Sequence, residues 1–424
     1  MDEYKRDDCR LSSADCRTGQ AWPAFQSAIG NRRCAIAAVV GVLALATGAA
    51  AQTNVVDTKY YRIHSDLDRP VIADYGKRLD VMYEEYARRL ADFESPPQQK
   101  FVVHLFRKKS DYTKFTGNRV PNSAGIFIPA QRALAGFEEG QGRAGLRQTL
   151  QHEAFHQFAW EVISPNLPIW LDEGLAQIFE EGIWTGNQFI LGQVTPRRIA
   201  DLKDDMRAGR TVSFRAFLEM SREDFQSRMK DPKIGRAQYN QAWAMTHFLI
   251  FAQDDAGKPK YRTRLVAWLR DLHGGRNAKQ SFADNFSQNI DGFETRYREW
   301  VSHLAPTPMS VYSDRMSKLA ELVRLFKDDG KEFDSITALR DHLTRGRFHL
   351  TEQRDGETYT HRENALTYLS DLSEKPWTDQ QLQLDKRRGV LPDIVLRPPE
   401  SSAIRVRFYQ AGKEINYDLV FEPR

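Results

Sequence analysis

The sequence predicts an α+β fold: a small sheet near the start, a long helical run, and a short unit that ends in strands. Three observations carry this expectation. Short β-branched and aromatic runs crowd positions 59–137, where that composition favours strands. From about 145 to 304, apolar residues recur at helical spacing. Near the end, Ile404 to Gln410 and Ile415 to Phe421 alternate apolar and polar residues around Ala411-Gly412-Lys413-Glu414, the pattern of a hairpin.

Taken in order, Lys59 to His64 reads as a first strand, and 70–94 as a helix with Val71, Tyr75, Leu79, Tyr86 and Leu90 on one face. Phe101 to Phe106 (FVVHLF) is the clearest strand. KKSDYTKFTG after it predicts a short helix capped by Ser110 and stopped by Gly117. Ala124 to Pro129 and Arg132 to Phe137 read as two strands joined by a turn. A helix over about 145–160 follows, with Leu146, Leu150, Ala154 and Phe158 as its apolar stripe. Ser164-Pro165-Asn166 ends it, and Pro168 opens the next helix, PIWLDEGLAQIFEE. Gly174 inside that helix costs about 1 kcal/mol relative to alanine, which implies a close backbone approach there. Helices are then expected over 195–209, 213–228, 236–254, 259–272 and 280–304. Ala305-Pro306-Thr307-Pro308 marks a boundary, because paired prolines do not continue a helix. Past it, 310–327 is amphipathic and 345–400 is polar without a clear period. The expected organisation is therefore a leader over 1–51, a main domain over 52–304 and a small α/β accessory domain over 305–424.

The leader sets the expected compartment. Ala35 to Ala46 is an uninterrupted apolar run, preceded by Arg32-Arg33 and followed by an A-x-A site ending at Ala51. The run is short for a membrane span, which needs about 20 residues. Export to the periplasm or beyond is expected. The alternative is an uncleaved anchor in the inner membrane, with the apolar segment as the point of membrane association. All three cysteines (Cys9, Cys16, Cys34) fall in this leader, so the rest of the chain has no disulfide framework, thiolate nucleophile or cysteine-zinc site. Sixty-one basic and 57 acidic residues are interspersed rather than clustered, which excludes the basic face of a nucleic-acid-binding protein. No glycine-rich phosphate-cradling motif is present.

The chemistry concentrates between Leu146 and Glu181. His152, Glu153 and His156 form an HExxH motif, and Glu173 follows seventeen positions after the second histidine. Residues i and i+4 lie about 40° apart on one helix face, so two imidazoles so spaced can share an ion. Glu153, beside the first ligand, reaches a metal-bound water rather than the metal and is placed to act as its base. A third ligand must come from elsewhere, and a glutamate on the next helix can supply it.

HExxH followed by WLxEGxA resembles the glutamate-zincin (gluzincin) metallopeptidases. It is still more similar to the bacterial peptidase-MA-like families of exported proteins. The matching stretches are QHEAFHQF, LPIWLDEGLAQIFE, GQVTPRRI and YNQAWAMTHFLI, and the likeness spans about 100–304. The gap from His156 to Glu173 is shorter than in thermolysin-like or aminopeptidase-like enzymes. The resemblance implies a zincin-like domain with a helix-borne Zn2+ held by His152, His156 and Glu173 and with Glu153 as general base. It implies zinc-dependent hydrolysis of a peptide or protein substrate, with Tyr239 as first candidate for the oxyanion donor and His247 as second. Asp172 and Gln177 are candidates to orient the imidazoles. The alternative function is an exported peptidase-like scaffold or binding protein of the cell envelope with little or no turnover. Arg197 and Arg198 read as a solvated pair or as a clamp for a substrate carboxylate. Trp160, Trp170, Trp184 and Trp243 read chiefly as core, with Trp184 able to line a cleft. The isolated histidines His64, His104, His273, His303, His342, His349 and His361 read as structural.

Overall fold

The computed structural model describes residues 54–90, 97, 99–117, 123–346, 348–354, 357–386, 390–411 and 413–422. The leader over 1–51, with its apolar run and cysteines, lies outside the described residues. Among the described residues, no helix is long and apolar enough to cross a membrane. The fold mixes helices and strands, and an α+β organisation describes it.

The chain begins with β1 (Asn54–Asp57), β2 (Tyr61–Ser65), α1 (Arg69–Arg89), β3 (Phe101–Phe106), α2 (Lys109–Thr116), β4 (Gly125–Ile128) and β5 (Ala133–Phe137). The strands form one five-stranded sheet in the order β1-β2-β3-β5-β4. β2, β3 and β5 run parallel, and antiparallel β1 and β4 form the two edges. Parallel neighbours need a crossover; α1 supplies it between β2 and β3. α1 buries Ile72, Tyr75, Leu79, Met82, Tyr83 and Tyr86. α2 differs from expectation at its start. Lys108 holds the N-cap position without a side-chain cap and Ser110 lies inside the helix, while Gly117 stops it in the left-handed conformation.

The helical half contains α3 (Gly142–Phe158), α4 (Ile169–Glu180), the hairpin β6 (Ile183–Trp184) and β7 (Phe189–Ile190), and α5 (Pro196–Arg207). It continues with α6 (Phe214–Leu218), α7 (Arg222–Arg228), α8 (Pro232–Phe251), α9 (Arg262–His273), α10 (Ala278–Asn285) and α11 (Ile290–His303). The single helices expected at 213–228 and 280–304 are each two. Ser221 accepts the Asp224 amide and Asn289 accepts the Gly292 amide, so each side chain caps a fresh helix inside a run of unbroken periodicity. α3 ends in one π-helical turn, Ala159–Ile163.

The remaining elements are α12 (Pro308–Asp328), α13 (Ile336–Arg345), the hairpin β8 (Thr351–Arg354) and β9 (Glu357–Thr360), then β10 (Leu382–Asp385), β11 (Asp393–Leu396), β12 (Ala403–Ala411) and β13 (Glu414–Glu422). The last four form an antiparallel sheet in chain order, with Ala411 opposite Glu414 across the expected hairpin. Buried apolar side chains fall into two main clusters, one from Tyr61 to Val301 and the other from Met309 to Phe408. Polar contacts join them: the Thr307 amide donates to the Val194 carbonyl (3.0 Å), and Arg147 meets Asp418 (3.5 Å).

Two helices set the centre of the first cluster. α3 is tied to the sheet by Gln157, whose amide donates to the Val102 and Arg132 carbonyls at 3.2 and 3.1 Å. It is tied to α1 by the Tyr86 hydroxyl, which donates to the Gln151 carbonyl (2.9 Å). The Gln151 side-chain amide in turn donates to the carbonyls of Phe179, Glu180 and Gly182, closing the end of α4. On its other side α4 lies against α8 at Gly174. A Cβ there would sit 2.2 Å from Thr246 Oγ1 and 2.5 Å from the Ala242 carbonyl oxygen, so only glycine permits this approach. Gly174→Val is expected to destabilise the protein by about 1–3 kcal/mol through overpacking. Urea unfolding checks this, and an unchanged midpoint would contradict the close packing of α4 on α8.

Candidate metal centre

The HExxH residues occupy the second half of α3, where Gln151 to Phe155 are all buried. One turn separates His152 from His156, and their Nε2 atoms face each other at 3.1 Å. Glu173 comes from α4, and its Oε2 lies 3.4 Å from His152 Nε2 and 3.7 Å from His156 Nε2. That oxygen is buried and makes no well-formed hydrogen bond, leaving its lone pairs without a proper partner. A tetrahedral ion about 2.0–2.1 Å from each donor would separate the donors by about 3.3–3.4 Å. The three observed separations bracket that value. His152, His156 and Glu173 therefore could hold a metal ion, and among the described residues no further His, Cys, Asp or Glu joins them.

The ring nitrogens facing away from this point are fixed by carboxylates. His156 Nδ1 lies 2.9 Å from Asp172 Oδ1, and His152 Nδ1 lies 3.0 Å from Glu180 Oε2. With Nδ1 donating, each Nε2 is left to present its lone pair to an ion. Asp172 is thus an orienting partner, as its sequence position suggested. Gln177 is not. Its amide donates to the Glu173 and Tyr239 carbonyls, both at 3.2 Å, and it bonds α4 to α8 instead of an imidazole. Glu180 takes the role sequence reasoning left unassigned. The available signal was its spacing: seven residues after Glu173 is two helical turns, which returns to nearly the same face. One helix, α4, thus supplies the third donor and both orienting carboxylates.

Glu153 points to the sheet edge. Its Oε2 accepts the Phe127 amide of β4 at 2.8 Å. β4 can lie this close because Gly125 has no side chain; a Cβ there would stand 2.4 Å from Thr149 Cγ2 and 3.5 Å from Glu153 Cγ. The carboxylate therefore stands between the histidine pair and an edge strand.

The electrostatics record how much positive charge the cluster demands. Burial opposes a charged His152, yet the neighbouring carboxylates of Glu173 and Glu180 override burial and raise its pKa to about 9. His156 is likewise raised well above its ordinary value, burial being outweighed by Asp172 and Glu173. Burial would raise Glu173, but the two imidazoles hold it well below the usual carboxylate range. Glu153 moves the other way, raised chiefly by burial and only partly restrained by the histidines. Behind the cluster, burial pushes Glu181 up to about 7 against the pull of Arg198.

Other candidates fall elsewhere. Tyr239 lies on α8, partly buried, with its ring edge-on to Phe225 at 5.6 Å and its carbonyl on Gln177. His247 packs among Trp243, Phe251 and Trp300 with Nε2 3.4 Å from the Gly192 carbonyl, and burial lowers its pKa to about 4. It does not join the four residues of the motif. Arg197 and Arg198 are not a solvated pair: Arg197 meets Glu352 at 3.3 Å and Arg198 meets Glu181 at 2.6 Å. Trp170 and Trp243 are core residues, whereas Trp160 is 40% exposed, with its ring toward Phe127. Trp184 is covered by Lys77 and Arg78 of α1.

A family described as "Protein of unknown function (DUF1570)" matches residues 147–262. The matched stretch runs from α3 into the start of α9 and contains the whole cluster, its orienting carboxylates and α8. No curated protein matches the chain at a significant level.

Protons and a metal ion compete for the same nitrogens, so metal affinity depends on pH. Because His152 is raised from 6.5 to about 9, the competing proton is held below that range and lost as pH rises through it. Metal affinity measured by chelator competition is expected to rise from pH 6.5 to about 9. A flat profile would contradict the assignment of His152. Glu180→Gln is expected to weaken metal binding by about 10–100-fold, checked by the same titration.

Proposed function

We propose that this chain hydrolyses peptide bonds with zinc as its cofactor, using a gluzincin-like site on a zincin-like domain. The observation that carries the reading is the convergence of His152 Nε2, His156 Nε2 and Glu173 Oε2 at tetrahedral-edge distances, with the Glu153 carboxylate next to them. Two imidazoles and one carboxylate suit zinc better than the all-oxygen cages that calcium and magnesium prefer. Three protein donors are the complement of a catalytic site, since structural zinc sites close all four positions with protein groups. When bound, zinc would polarise a substrate carbonyl and lower the pKa of a coordinated water towards about 7.

The chain's own residues divide the remaining work. Glu153 takes the proton from the attacking water and hands it to the leaving amine. Its raised pKa, set by burial, brings it nearer the neutral range in which a carboxylate is an effective base. Asp172 and Glu180 hold the imidazoles in register. β4 is a sheet edge, and an extended peptide lying along it would pass beside Glu153, whose carboxylate already bonds the Phe127 amide. Tyr239 is the candidate donor to the developing oxyanion on its sequence position alone, its ring here packing against Phe225. The proposed setting is outside the cytoplasm, with 1–51 as a signal or anchor and 305–424 as an accessory domain.

Zinc-loaded wild type is expected to cleave members of a broad peptide library. Glu153→Gln should retain about one zinc per chain while losing about 10²-fold or more in turnover. Mass-spectrometric profiling with metal analysis decides the matter. Equal cleavage by both proteins would remove Glu153 from its role. Bound zinc without cleavage by either would favour an envelope-binding protein instead. Tyr239→Phe should slow turnover with little change in zinc content, and an unchanged rate would free Tyr239 from the oxyanion role.

A further inference from the structure

We infer that Arg198 is a positioning residue for the metal centre, acting through the far side of the third-ligand helix. The inference rests on the reading that His152, His156 and Glu173 hold a metal.

α4 ends in two consecutive glutamates, Glu180 and Glu181, both with side chains almost fully buried. A helix C-terminus is the unfavourable end for negative charge, because its free carbonyls already carry a partial negative charge. Glu180 is tied to His152, and Glu181 needs a cation of its own. Arg198 provides it, with Nε 2.6 Å from Glu181 Oε1 and a side chain only 11% exposed. Its guanidinium also stacks 5.1 Å over the Trp243 ring of α8.

The same guanidinium sets the orientation of Gln177. Its NH1 donates to Gln177 Oε1, which turns the other end of that amide, Nε2, towards the Glu173 and Tyr239 carbonyls. Arg198 thereby holds α4 at two points, Gln177 and Glu181, and through Gln177 it reaches the carbonyl of the third ligand, Glu173. The local sequence explains the aim. Thr195 caps α5 by accepting the Arg198 amide (3.3 Å), and Pro196 stands in the first turn, so Arg198 sits in the first turn and reaches back to α4. This gives the TPRRI stretch a physical role.

An ordinary structural ion pair between α4 and α5 would also stabilise the protein, so stability alone does not decide the matter. Zinc affinity, read by competition with a chromophoric chelator, does. Arg198→Gln is expected to weaken zinc binding by about 10–100-fold, the usual effect of disturbing groups behind a metal's ligands. Adding Glu181→Gln removes the charge left unpaired, and the double variant should recover part of the loss, the remainder being the share carried by Gln177. The thermal midpoint of the metal-free proteins serves as the control. Wild-type affinity in Arg198→Gln overturns the inference, and so does a loss that Glu181→Gln leaves untouched. If Arg198→Gln does not fold, Arg198→Lys carries the test. It keeps the charge without the fork that spans Glu181 and Gln177, and should lose affinity several-fold; unchanged affinity overturns the inference. Absence of zinc from the wild type would overturn the metal reading and, with it, this assignment.

Discussion

Two imidazole nitrogens face each other at 3.1 Å inside the protein, with a carboxylate oxygen close to both. Brought together without a positive charge, these lone pairs repel, and burial denies them water. The surroundings deepen the demand. Asp172 and Glu180 stand behind the rings, Glu153 lies beside them, and Glu181 follows Glu180 at the end of α4. The surrounding carboxylates raise the pKa of both histidines against the effect of burial, so the cluster favours positive charge.

The scaffold holds those groups in place through a few polar ties. α3 is bonded to the sheet through Gln157, to α1 through Tyr86 and to the end of α4 through Gln151. α4 is pressed onto α8 by the missing side chain of Gly174, directly beside Glu173. The three donors come from only two helices, and α4 also carries both orienting carboxylates. An error in the placement of α4 would therefore disturb ligand and support together, which accounts for the density of bonds along it.

The parts legible in the sequence were those encoded locally. HExxH places two histidines on one face by helical geometry alone, and WLDEG supplies Glu173 with Asp172 beside it. β3 and the last hairpin follow directly from composition and alternation, and Gly174 signalled a close approach before any partner was known. What stayed hidden depends on how elements meet. Glu180 orients His152 only because the end of α4 comes back beside α3. Arg198 looks like half of a solvated pair until α5 is laid against α4. The breaks before α7 and α11 are made by single capping side chains that interrupt no apolar pattern. β10 and β11 are four-residue strands inside a polar stretch, and Leu382, Ile394 and Leu396 are buried only by what packs on them.

The central claim is that one metal ion sits among His152, His156 and Glu173. X-ray absorption at the zinc edge of the zinc-loaded protein tests it most directly. The account predicts a four-coordinate ion with two imidazoles and oxygen donors at about 2.0–2.1 Å, and loss of one imidazole contribution in His156→Ala. Zinc lacking the imidazole signature, or a spectrum that His156→Ala leaves unchanged, would contradict it.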